Sequence, residues 1–107
     1  MATYGSTIEA LADPTRRAVL EQLRRGPQAV GELAAHLPVS RPAVSQHLKV
    51  LKGAGLVSDR ADGTRRLYAV RPEGLNALRA WLEDFWTDAL RAYQQAAKPS
   101  STRRKPR

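Results

Sequence analysis

The chain of 107 residues contains no cysteine. That absence excludes disulfides, thiolate metal sites and thiol catalysis, and it fits a reducing compartment. No apolar run approaches the roughly 20 residues that a membrane-spanning helix needs, and the N-terminus carries no signal-peptide pattern. A cytoplasmic protein without membrane association is expected. Also absent are a Ser-His-Asp arrangement, a metal-ligand cluster and a glycine-rich phosphate loop. An enzyme is therefore not expected, and neither is a cofactor. No internal repeat is present.

What is abundant is positive charge, and it is unevenly placed. The net charge is +8. Residues 1–39 carry four basic and four acidic groups, whereas residues 40–71 carry seven basic and two acidic. Residues 72–97 carry two basic and four acidic groups, and the last ten carry five basic and none acidic. A polyanionic partner that touches the central segment and the tail is the simplest reading.

The central segment contains Ser40-Arg41-Pro42-Ala43-Val44-Ser45-Gln46-His47-Leu48-Lys49-Val50-Leu51-Lys52-Gly53. It reads as one short helix. Ser40 can cap it, Pro42 fits its first turn, and Gly53 is placed to end it. At about 100° per residue, Val44, Leu48 and Leu51 form a narrow apolar stripe. Arg41, Ser45, Gln46, Lys49 and Lys52 gather on the other side, with no carboxylate among them. A phosphate-lined groove favours such a face.

Around this helix the punctuation is clear. Ile8 and Leu11 mark one apolar side of a short first helix, with Met1 to Ser6 patternless. Asp13 and Pro14 restart the chain as cap and first helical residue. Val19, Leu20 and Leu23 follow at core spacing, and Gly26-Pro27 ends the helix. Val30, Leu33, Ala34 and Leu37 give another short helix, stopped by Pro38. Only a few residues separate it from the central helix, which is the spacing of a helix-turn-helix. After Gly55 the period changes. Residues 56–60 and 65–70 read as strands around the turn Ala61-Asp62-Gly63-Thr64. Arg60, Arg65 and Arg66 flank that turn, as in a wing.

Pro72 is expected to open a long helix to about Ala97, roughly 37 Å at 1.5 Å per residue. Leu75, Leu78, Leu82, Phe85, Trp86, Ala89 and Tyr93 recur along it at three- and four-residue steps, widened by Trp81 and Leu90. So small a body cannot cover all of this stripe, and uncovered apolar surface marks a partner interface. Residues 98–107 hold no apolar residue and are expected to form a disordered basic tail.

Four pieces resemble the ArsR family of bacterial winged-helix repressors. They are residues 10–17 (Ala-Leu-Ala-Asp-Pro-Thr-Arg-Arg), 30–34 (Val-Gly-Glu-Leu-Ala), 40–51 and 54–57 (Ala-Gly-Leu-Val), and they stand in the family's order. The resemblance covers roughly residues 7 to 93. It implies a mainly α fold with a small β-hairpin wing, a dimeric winged helix-turn-helix over residues 1–97. It implies a homodimer built from the first and last helices, which adds Ile8 and Leu11 to Leu78, Leu82, Phe85, Trp86, Ala89 and Tyr93 as interface residues. It also implies operator binding by the central helix and the wing.

The candidate DNA-binding residues are Ser40, Arg41, Pro42, Ser45, Gln46, Lys49, Lys52, Arg60, Arg65 and Arg66. Ser40 and the first N–H groups of the helix suit a phosphate. Arg41, Ser45, Gln46 and Lys49 suit base edges or nearby phosphates. The family's metal sensors use cysteines near the first helix of the helix-turn-helix, or Asp, His and Glu on the last helix. Here the last helix holds no histidine, and the two histidines, His36 and His47, lie on separate helices. Two imidazoles alone make a poor site, and His47 lies beside its helix's apolar stripe, which suits packing better than ligation. The resemblance is therefore to the metal-independent branch. The rival reading is a winged-helix module that binds a protein surface and ignores DNA. An unknown effector or partner protein is compatible with either.

Overall fold

The computed structural model describes residues 4–97. The expected basic tail, residues 98–107, lies outside the described residues.

The elements follow the punctuation, with instructive departures. Helix α1 spans Tyr4–Leu11, so the segment up to Ser6 is helical from Tyr4 rather than patternless. A tertiary anchor explains this: Thr7 is fully buried, and its hydroxyl donates to the Gly74 carbonyl at 3.4 Å. Arginines from the next helix close the C-terminal end of α1. Arg16 Nε donates to the Ala10 carbonyl and Arg17 Nη1 to that of Leu11, both at 2.6 Å, satisfying acceptors the helix leaves open.

Helix α2 covers Pro14–Gln22. The Asp13 carboxylate accepts from the N–H groups of Thr15 and Arg16 at 2.8 and 3.0 Å, as a cap does. A 3-10 turn at Leu23–Arg25 follows, and Gly26 leaves it at φ 124°. Helix α3, Val30–Ala35, is six residues long and stops before Leu37. Glu32 reaches back to accept from the Ala29 N–H at 2.8 Å. That is the half of a capping box an alanine cap permits.

Helix α4 spans Arg41–Gly53 and opens on the Ser40 hydroxyl, which accepts from the Ala43 N–H at 3.3 Å. Gly53 is its last residue and Ala54 its cap, but neither turns the chain away. Gly55 does, at φ 78°, where a side chain would be strained. The Gly55 N–H donates to Lys52 at 3.0 Å and the Leu56 N–H to Leu51 at 2.9 Å, and the apolar pair Leu51–Leu56 completes a Schellman stop.

Strands β1 (Val57–Asp62) and β2 (Arg65–Val70) pair antiparallel, from Val57 opposite Val70 to Asp62 opposite Arg65. The first strand thus runs two residues beyond its expected end. Gly63-Thr64 is the loop, and Gly63 takes the positive φ, 64°. That is the glycine-first form of a two-residue hairpin. Tyr68 also exchanges backbone bonds with Gln28, at 2.8 and 3.0 Å. The chain entering α3 is thereby stitched to the edge of the wing.

Pro72 opens only a 3-10 turn, Pro72–Leu75, and α5 begins at Asn76 and runs to Ala97. The turn lies against the end of α4 at Gly74, where any Cβ would collide with the Gly55 carbonyl. A continuous helix from Pro72 gives way to that contact. The core joins Ala10, Val19, Leu23, Leu33, Val44, Leu48, Leu51, Leu56 and Val57. It draws one stripe from each of α1–α4 and the root of the wing, but no buried residue from α5. Among the described residues no helix is long and apolar enough to cross a membrane.

Candidate nucleic-acid interface

Helix α4 is held by its apolar stripe: Val44, Leu48 and Leu51 are each 0% exposed. Each such side chain contributes about 1.5–3 kcal/mol by leaving water, which fixes the helix's rotation. Arg41, Pro42, Ser45, Gln46, Lys49 and Lys52 are in consequence all exposed, as is the Ser40 cap. Arg41 leans back onto α3. A Cβ built on Gly31 would stand 3.0 Å from Arg41 Nη2 and 3.2 Å from its Cζ, so the bare backbone of Gly31 makes room for the guanidinium.

The wing separates its arginines by strand alternation. Arg66 lies on the same face as Asp59, whose cross-strand partner is Tyr68. Arg66 Nε donates to Asp59 Oδ2 at 2.8 Å. From the last turn of α4, Lys52 Nζ reaches Asp59 Oδ1, also at 2.8 Å. The Asp59 side chain is 9% exposed, against 56% for each partner. Bonds from Lys52 first and Arg66 second hold its carboxyl below the usual aspartate range, although burial opposes them. Arg65 lies 3.6 Å from both Glu32 and Asp62. Arg60, on the opposite face from Arg66, makes no ion pair among the described residues.

Lys52, Arg65 and Arg66 are therefore cations with internal partners, whereas Lys49 and Arg60 are unpaired among the described residues. Charge counting along the sequence cannot separate these two groups. The signal for Asp59 was its parity: it shares a face with buried Val57, where an acid needs a partner.

Asp13 holds a proton less readily than usual, chiefly because the Arg16 N–H bonds its carboxylate, with His47 a lesser contributor. His47 is half-buried on α4 near that cap. His36 is exposed, with Nδ1 2.9 Å from the Glu32 carbonyl. Among the described residues no three His, Cys, Asp or Glu groups converge to hold a metal ion.

The expected interface residues form the other exposed feature. Ile8 is 44% exposed, Leu82 55%, Phe85 58%, Trp86 64% and Tyr93 70%. Ala89 is exposed as well, whereas Leu11 and Leu78 are half-buried. The Trp81 and Phe85 rings stack at 5.5 Å. α1 packs on the near part of α5, leaving the rest of its apolar side bare.

A short helix, a tight turn, a second helix with a cationic outer face and a two-stranded hairpin together make a winged helix-turn-helix. The chain belongs to the ArsR family of bacterial regulatory proteins, whose sequence pattern matches residues 13–59. It is 63% identical over 98 residues to the HTH-type transcriptional regulator Rv2034 of Mycobacterium tuberculosis, covering 89% of this chain and 92% of that one. It is 34% identical over 80 residues to the transcriptional repressor SdpR of Bacillus subtilis, covering 75% of this chain and 89% of that one. The solution structure of the homodimeric winged helix-turn-helix DNA-binding domain Mb0332 from Mycobacterium bovis superposes with a TM-score of 0.64. It is 29% identical and covers 79% of each chain. The family and these relatives are regulators, so the protein is a transcriptional regulator rather than an enzyme.

Proposed function

We propose that the protein is a cytoplasmic repressor that binds a double-stranded operator as a homodimer and blocks a promoter by occupying it. The observation that carries this reading is the rotation of α4. Its apolar stripe is wholly covered, and its exposed side presents Arg41, Ser45, Gln46 and Lys49 without an acid. Gln46 is suited to an adenine edge, and Lys49 to phosphate. Arg60 and the donors of Arg65 and Arg66 left free by their carboxylates suit the flanking backbone. A dimer supplies two such heads, and the bare side of α5 together with Ile8 and Leu11 of α1 supplies its interface. The helices expected to carry the family's metal ligands hold no cysteine, and α5 holds no histidine, so the signal that releases DNA is read as something other than a metal.

The test combines sedimentation with selection of duplexes from a random pool. The expected result is a dimer that recovers one sequence with two-fold symmetry, whose affinity falls steeply with salt. Zinc added to chelator-treated protein is expected to leave that affinity unchanged. Recovery of no preferred sequence, with a shallow salt dependence, would favour a module that binds protein instead.

A further inference from the structure

We infer that Asp59 is a positioning residue for DNA recognition: it locks the wing to the recognition helix and gives up part of the head's positive charge in exchange for sequence preference. The inference rests on the DNA-binding reading above.

Asp59 spends one oxygen on Lys52 of α4 and the other on Arg66 of β2, each at 2.8 Å. Among the described residues no other carboxylate ion-pairs with cations from two different elements. Glu32 takes one arginine from the wing, and Asp62 takes the same arginine from within the hairpin. The two elements joined by Asp59 are the ones that must meet the duplex together, one in the groove and one on the flanking backbone. Their relative angle therefore decides whether both can touch at once.

A half-buried acid in this position is otherwise disadvantageous. It subtracts one positive charge from each head, and affinity for any DNA falls with every phosphate left unneutralised. What it supplies is order. Lysine and arginine side chains lose considerable rotamer freedom when they bind, and a partner already in place removes part of that cost. Both cations keep donors for phosphate. Arg66 commits its Nε, leaving both terminal nitrogens, and its side chain remains 56% exposed. Asp59 thus acts through Lys52 and Arg66 and does not itself touch DNA.

The experiment compares wild type with Asp59→Asn on two probes: the duplex recovered by selection on wild type, and a random-sequence duplex of equal length. Both are titrated across a salt series. The variant is expected to bind random duplex at least as tightly as wild type, with a salt slope steeper by about one unit per protomer. Its ratio of selected to random affinity is expected to fall roughly tenfold, a factor that corresponds to about 1.4 kcal/mol. An unchanged ratio overturns the inference and leaves the DNA-binding reading intact. Parallel weakening on both probes with an unchanged slope also overturns it, because loss of folded protein alone produces that pattern. A wild type that selects no sequence overturns both.

Should Asp59→Asn fail to fold, Arg66→Gln opens the same bridge from its exposed end. A fall in the ratio supports the inference. Equal loss on both probes makes Arg66 a plain phosphate contact and overturns it. Where both variants fold, their effects on the ratio are expected to be non-additive in the double variant.

Discussion

In α4, Val44, Leu48 and Leu51 are completely covered, while in α5 Leu82, Phe85, Trp86 and Tyr93 remain 55%, 58%, 64% and 70% exposed. Both helices carry apolar residues at three- and four-residue steps. The α4 stripe meets α2, α3 and the root of the wing, all built from nearby sequence. The α5 stripe leaves the body after its first turns, where it packs on α1 and on the 3-10 turn that precedes it. Periodicity thus tells which side of a helix seeks cover but not whether the same chain provides it. One helix is finished within the protomer. The other is finished by a second copy in the reading proposed above, and that division assigns reading to the first and assembly to the second.

The largest expected effect separates these two fates. Leu82→Glu places a carboxylate in the proposed dimer contact, where an unpaired charge is costly. Sedimentation is expected to show monomer or aggregate, with the dimer dissociation constant raised by at least about a hundredfold. Because Leu82 is 55% exposed in the protomer, circular dichroism of soluble monomer is expected to keep its helix signal. A Leu82→Glu protein that stays dimeric breaks the comparison, since the exposed stripe would then not be the interface.

Leu48→Ala tests the finished helix. Leu48 has no solvent exposure, and removing a buried leucine costs about 2–5 kcal/mol. Urea unfolding at fixed protein concentration is expected to show a loss in that range, with the folded fraction still dimeric. A loss under about 1 kcal/mol would place the α4 stripe among loosely covered surfaces, like that of α5.

The elements most legible from sequence were those governed by local chemistry. Asp13 and Ser40 cap the helices they precede, because a short acceptor beside free N–H groups needs nothing from the rest of the fold. The Val44–Leu48–Leu51 stripe and the hairpin around Asp62-Gly63 were equally local. The features missed depend on distant backbone. Gly53 closes α4 as expected, but the turn of the chain at Gly55 is marked only by its positive φ. Pro72 promised a helix start, but the contact between Gly74 and Gly55 imposes a 3-10 turn first. Tyr4 to Ser6 gained a helix through Thr7, whose partner is Gly74. At the site, the cationic face of α4 was visible in the spacing. Its division into bound and unbound cations was not, because Asp59 joins residues from two elements.

Within the exposed face of α4, Gln46 and Lys49 are predicted to differ in kind. Gln46→Ala is expected to lose roughly 1–3 kcal/mol on the selected duplex and to relax preference at one base pair. Lys49→Ala is expected to weaken all sequences alike and to flatten the salt slope by about one unit per protomer. Repeating the selection on each variant distinguishes these outcomes. If Lys49→Ala shifts the preferred base while Gln46→Ala keeps it, the two roles are reversed and α4 lies in the groove at another rotation.

The smallest predicted effect concerns acid, and it belongs to the reading head. Asp59 has a carboxyl held below its usual value of 3.8, chiefly by its bonds to Lys52 and Arg66. A group whose folded value is depressed gives up its proton more readily in the folded protein than in the unfolded chain. Its stabilisation is therefore complete above the unfolded value and is lost as pH falls through the folded one. From pH 8 down to about pH 5 the difference in stability between wild type and Asp59→Asn is expected to stay constant. Below about pH 4 it is expected to shrink, because the wild-type carboxylate takes up a proton that asparagine cannot. Asp13 is depressed as well, so both proteins weaken in acid, and only the difference between them reports Asp59. Urea midpoints measured at matched ionic strength across this range provide the check, since salt would otherwise screen the ion pairs. If the difference holds at low pH, Asp59 stabilises the head by shape and hydrogen bonding rather than by charge. The lock between wing and recognition helix would then not depend on the two cations it holds.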